Sequence, residues 1–150
     1  PRKVIKEKGD SIFLANTSGL NWDLLPLEKG GYRLYLLHGT TKHGVIPIGD
    51  DYAFDFDKDM NILSWRRFHR SFLEQPITMN GEEITEVIHS HTPMTPYFTT
   101  TDIANYMLYG CDLYGIKRFS VLSTAFADTS YLTTFDVEKM KLTSTVYTVK

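Results

Sequence analysis

The chain is poor in cysteine: Cys111 stands alone among 150 residues. That excludes an internal disulfide and any zinc site built from several thiolates. Proline and glycine number only six and ten, and no repeat, linker or low-complexity tract divides the chain. No apolar run approaches the ~18 residues a membrane helix needs, so no membrane partner is expected. Charge of one sign is lacking too. Sixteen Lys and Arg against eighteen Asp and Glu leave a net −2, which argues against a general attraction for nucleic acid. The P-loop, the dinucleotide fingerprint and GxSxG are all absent.

What is present is apolar and aromatic matter, 42% and 13% of the residues. This suffices for one globular domain with a real core. The first ten residues, PRKVIKEKGD, are polar and basic and read as a flexible lead-in. Residues 11–150 then form a single domain. The chain starts at Pro1, which is compatible with a removed leader and export; compartment and oligomeric state stay open.

The patterning is mostly that of strands. YRLYLLHGT, VIPIG and DYAFDF read as strands, the last with Tyr52, Phe54 and Phe56 in two-residue alternation. DKDMN is a turn, and ILSWRRF returns as the second arm of a hairpin. TMNGEE is another turn before ITEVIHSH, a strand with Val87, His89 and His91 on one face. TTTDIANYMLYGCDLYG predicts a helix, capped by the hydroxyl of Thr100 or Thr101, with Asp102 in its first turn and Gly115 closing it. FSVLS, SYLTTFDV and LTSTVYTV close the chain as strands. A short helix is also expected around Asp10–Asn16. The sum predicts an α+β domain with a mixed β-sheet and one well-defined helix after the His-x-His strand.

Two candidate sites read as ordinary surface. DFDKDMN fails the calcium-loop pattern, with Met60 where Gly and Arg66 where Glu would be required. The cluster Trp65, Arg66, Arg67, His69, Arg70 is basic with interleaved aromatics, but short and isolated, so His69 reads as solvated. His38 and His43 also read as structural or solvated, and Cys111 as a packing residue.

The stretch EVIHSHTPMTPYFTTTDI carries more. His89 and His91 leave one strand face about 7 Å apart at Cα, so their imidazoles can converge on one ion. Asp102 lies eleven residues on, at the helix start. Two His nitrogens and one carboxylate oxygen are a ligand set for catalytic zinc.

This spacing resembles the JAMM (JAB/MPN-type) metalloprotease signature. His89-Ser90-His91 is followed by seven residues, Thr99, two residues and Asp102, with Thr99 where that family has Ser and Thr92 ahead of Pro93. Pro26, Glu28 and Gly31 match the family's upstream Glu segment. The resemblance implies a single MPN/JAB-like (cytidine-deaminase-like) domain of a divergent bacterial branch. It implies zinc on His89, His91 and Asp102, with Glu28 as the base that activates water and Thr99 steadying the oxyanion. The substrate would be a peptide or protein, cleaved at a peptide or isopeptide bond. A scaffold that has lost the metal, or a peptide-binding module, are the other readings.

Overall fold

The computed structural model describes residues 19–69, 71–126 and 128–148; the helix expected around Asp10–Asn16 and the basic residue Arg70 lie outside them. Among the described residues there are twelve strands: β1 (Leu20–Pro26), β2 (Tyr32–His38), β3 (Val45–Gly49), β4 (Tyr52–Phe56), β5 (Ile62–Arg67), β6 (Phe72–Pro76), β7 (Thr78–Met79), β8 (Glu82–Glu83), β9 (Glu86–His91), β10 (Arg118–Phe126), β11 (Thr129–Asp136) and β12 (Lys141–Thr148). Between β9 and β10 lie helix α1 (Thr100–Asn105), a π-helical segment (Tyr106–Cys111) and a last α turn (Asp112–Tyr114).

The strands form several small sheets. One four-stranded sheet has the order β1-β2-β4-β5, all antiparallel. Another has the order β12-β11-β10-β9, in which β9 and β10 are parallel. Two-stranded ribbons join β3 to β6 and β7 to β8.

The fold expectation needs correction. Among the described residues strands make up 54% and helix 13%, and this is not the α+β layout of an MPN/JAB-like (cytidine-deaminase-like) domain. The helix expected after the His-x-His strand exists but is short. The excess of strand has a plain cause: Thr, Tyr, Phe, Val and Ile fill the segments on both sides of that helix, and these residues suit a pleated, half-buried surface. Leu20–Pro26 and Phe72–Pro76 add two strands that composition did not predict.

Two apolar cores result. One gathers Ile46, Ile48, Val87, Tyr106, Ile116, Phe119 and Phe135 around α1 and the β9–β10 pair. The other is carried by β2 and β4: Leu34, Leu36, Tyr52, Phe54 and Phe56. Side chains alternate along β9, which sends Val87, His89 and His91 to the core side and leaves Ile88 and Ser90 exposed.

Turn chemistry fixes the ends. Gly49 takes φ +92°, and a Cβ there would lie 2.1 Å from the Ser71 carbonyl oxygen. The backbone of 49–51 thus lies directly against the chain that leaves β5.

Candidate metal centre

The centre is assembled where parallel strand β9 ends and α1 begins. His91 is the last residue of β9, paired with Ser123 on β10, and His89 pairs with Val121. The Phe119 ring lies 5.1 Å from the His89 ring and closes the floor. Ligand sites form readily outside the carboxyl ends of parallel strands, because side chains and a helix N-terminus meet there.

Helix α1 delivers the carboxylate. Thr99 is its N-cap, and a reciprocal capping box joins Thr99 to Asp102. The Asp102 N–H donates to Thr99 Oγ1 at 3.1 Å. Asp102 Oδ2 accepts from the Thr99 N–H at 2.7 Å and from Thr99 Oγ1 at 2.8 Å. Oδ1, fully buried, has no hydrogen-bond partner among the described residues and faces the imidazoles.

A fourth arm comes from the other sheet. His69, just past β5, turns inward, and its Nε2 lies 2.8 Å from His91 Nε2. His89 Nε2 lies 2.7 Å from the same atom. Asp102 Oδ1 is 3.3 Å from His89 Nε2 and 3.4 Å from His69 Nε2, and Oδ2 is 3.5 Å from His91 Nε2. His69, His89, His91 and Asp102 thus form a group that could hold a metal ion, each offering one ligand atom within 4.8 Å of the others.

The far nitrogens decide what those atoms present. His91 Nδ1 lies 2.9 Å from the Tyr97 carbonyl oxygen, which can only accept. His69 Nδ1 lies 2.7 Å from Asp51 Oδ1. Each Nδ1 therefore carries the proton, and in the neutral ring each Nε2 turns a lone pair into the centre. Two such lone pairs 2.8 Å apart repel unless a cation or a proton lies between them. An ion with bonds of about 2.0–2.1 Å in tetrahedral array spaces its ligands about 3.3–3.4 Å apart, close to the contacts made by Asp102. The donors present fit a metal.

The electrostatics differ from group to group. Burial alone would push the Asp102 carboxyl up, but its contacts with His89 and His91 and the His69 charge hold it far below the carboxylate range. Burial pushes His89 down, aided by the charges of His91 and His69. Burial also works against a charged His69, but the hydrogen bond and charge of Asp51 outweigh it and raise its pKa. A metal competes for nitrogens that hold their protons weakly, and His89 is of that kind.

The structure brings together His89, His91, Thr99 and Asp102. It does not bring Glu28 to them. Glu28 sits exposed in the β1–β2 turn. Tyr32 pairs with Phe56 at that end, whereas Asp51 and His69 flank the opposite ends of β4 and β5. The length of β4, about 15 Å at the usual rise per residue, separates them. Thr99 reaches the centre, but its hydroxyl proton goes to Asp102 Oδ2, so it holds the carboxylate. His69 corrects the solvated reading, and Asp51 is new. Only the Gly-Asp-Asp run before β4 hinted at either, and it carries no metal signature of its own.

The remaining candidates behave as surface or scaffold. Asp57 accepts from Asp59 and Asn61 within its turn. Arg67 donates to Asp50 at 2.8 Å and Arg66 lies over the Phe68 ring, so these two arginines of the basic cluster make internal contacts. His38 stacks on Phe72 at 4.1 Å.

Compared with protein-family models, curated proteins and solved structures, the chain matches none.

Proposed function

We propose that this protein is a zinc-dependent hydrolase acting on a peptide or isopeptide bond of a protein substrate. The observation that carries the reading is the convergence of His89, His91 and Asp102 at the end of β9, with the outer nitrogen of His91 and the outer oxygen of Asp102 fixed by hydrogen bonds. The His-x-His, Thr and Asp spacing that resembles the JAMM signature lies within that same stretch. His89, His91 and Asp102 would hold the ion. When bound, zinc supplies Lewis acidity: it polarises a carbonyl and makes water a nucleophile near neutral pH.

The chain's own residues do the positioning. Thr99 clamps Asp102 through two hydrogen bonds. The Tyr97 carbonyl sets the His91 tautomer. Phe119 and Val121 keep the inner side dry, where charges act strongly on one another.

A second reading, a non-catalytic metal centre, is favoured by one specific observation. Four protein donors fill a tetrahedron, as structural zinc sites do, whereas catalytic ones keep a position open.

The deciding experiment loads purified protein with zinc, counts the metal by mass spectrometry, and follows cleavage of a quenched-fluorescent peptide library and an isopeptide-linked conjugate. The hydrolase reading expects one zinc per chain and turnover that chelator and His89→Ala both abolish. Zinc-loaded protein that cleaves neither probe supports the non-catalytic centre. Protein that takes up no zinc overturns both.

A further inference from the structure

The two apolar cores are separate clusters, and the metal centre joins residues from the elements that carry each: His89 and His91 on β9 and His69 just past β5. Three of its donors come from one continuous stretch, residues 89–102, seated on the first core. The fourth, His69, comes from the end of the β4–β5 hairpin, which carries the second. A direct polar tie between the β1-β2-β4-β5 sheet and the helical stretch is made by Asn21 Nδ2, which donates to the Tyr109 hydroxyl at 2.8 Å.

His69 is presented by a built support. Asp51, 1% exposed, accepts on Oδ1 from both the His69 N–H at 3.2 Å and His69 Nδ1 at 2.7 Å. The Phe68 N–H donates to the Asp51 carbonyl, and the Asp50 N–H to the Ser71 carbonyl. Arg67 spans Asp50 and the His69 carbonyl. Gly49 lets the two chains touch backbone to backbone. A histidine so tethered has one ring orientation, and it aims Nε2 at the other three donors.

We propose that His69, positioned by Asp51, is a fixed fourth metal ligand, and that an ion in the centre ties the β1-β2-β4-β5 sheet to the β9–α1–β10 unit. This rests on the metal centre proposed above; with His69 in the fourth position, the hydrolase reading requires the ion to take water as a fifth ligand. Metal binding there would stabilise not one loop but the docking of two sheets, since a ligand that binds only the assembled state favours it by mass action. Asp51 is a positioning residue. Its carboxylate fixes the His69 tautomer and raises the ring's basicity, as carboxylates behind metal-bound histidines do.

The test uses zinc and cobalt(II) as probes on the full chain. Wild type, His69→Ala, His69→Gln and Asp51→Asn are compared by chelator competition, by the visible spectrum of the cobalt form, and by hydrogen exchange with and without zinc. His69→Ala and His69→Gln should bind at least about tenfold more weakly and shift the cobalt bands, because water takes the vacated position. Asp51→Asn should weaken binding about tenfold with a smaller spectral change, since its amide oxygen still accepts from Nδ1. Zinc should raise protection of β4 and β5 in wild type.

Wild-type affinity and an unchanged cobalt spectrum in the His69 variants would overturn the proposal while leaving the metal centre intact. Failure of wild type to bind either ion would instead sink the reading beneath it. Should the variants not fold, the exchange arm on wild type decides: no gain in protection of β4 and β5 rejects the tie.

Discussion

Thr99 is the residue on which the geometry of Asp102 depends. Its hydroxyl caps α1 and its backbone and side chain both reach Asp102 Oδ2. Thr99→Val keeps the shape and removes the hydroxyl. It is expected to cost about 1–2 kcal/mol in urea unfolding, the range for losing a cap, and to weaken zinc binding about tenfold or more in chelator competition. Glu28 gives the opposite expectation. It is exposed and a strand length from the centre, so Glu28→Gln should leave zinc affinity unchanged and move stability by less than about 0.5 kcal/mol. A loss of zinc or of any measured turnover in that variant would return Glu28 to the site. These contrasts mark what single residues reveal in a sequence. His89, His91, Thr99 and Asp102 lie within one stretch whose strand alternation and helix cap are local, so their convergence was legible. Asp51 and His69 meet them only through tertiary packing, 18 residues apart from each other and 22 from His69 to His91, and no local pattern records that.

Among the elements, the strands with clean alternation or dense β-branched runs were legible: β2, β3, β4, β5, β9 and the β10–β12 series. β1 and β6 were not, because Asn21, Asp23, Glu74 and Gln75 interrupt their apolar pattern. From sequence, the helix starts one or two residues late: Thr99, not Thr100 or Thr101, is the N-cap, because its hydroxyl is the one the Asp102 N–H reaches, while Asp102 does sit in the first turn. Its conversion to a π segment at Tyr106 was not visible. There the Tyr106 ring packs beside Gly110, so closely that a Cβ at Gly110 would lie 2.7 Å from it, and its hydroxyl donates to the Ile116 carbonyl. The short segment at Gly49 yields a test at this scale. Gly49→Ala would place a Cβ against the Ser71 carbonyl oxygen at a left-handed φ. The expected cost is about 1–3 kcal/mol, read as a lower urea midpoint. A melt identical to wild type would mean that the 49–51 loop is free of the chain after β5, and the support of His69 with it.

For the molecule as a whole, the β4–β5 hairpin was legible, but the pairing of the hairpins into sheets was not. The same strands can be written as one mixed sheet. Instead they divide into two four-stranded sheets and two ribbons, because the β4–β5 hairpin pairs with β2 and not with β9. Acid is expected to reveal how the metal-free protein is held together. Asp102 is ionised more easily folded than unfolded, since its histidine contacts outweigh burial. The stability it contributes is fully present above the unfolded carboxylate pKa of about 3.9. It is lost progressively as pH falls below that value towards the depressed folded one. Melts in chelator between pH 6 and pH 3 should show a falling midpoint, and Asp102→Asn should fall less steeply. Equal slopes would place the acid sensitivity elsewhere.

The parallel pairing of β9 with β10 has a consequence for the order of events in folding. Parallel neighbours cannot be joined by a tight turn, and here the crossover runs through the loop, α1 and the π segment before Arg118 meets Glu86. The β1–β2, β4–β5 and β11–β12 hairpins close over short loops and can form early, whereas the β9–β10 contact must wait for a long loop to shut. His89, His91 and Asp102 are therefore expected to be in place late. A nascent chain would offer zinc little more than a pair of histidines two residues apart, so the centre matures as a last act of assembly and is poorly placed to nucleate it.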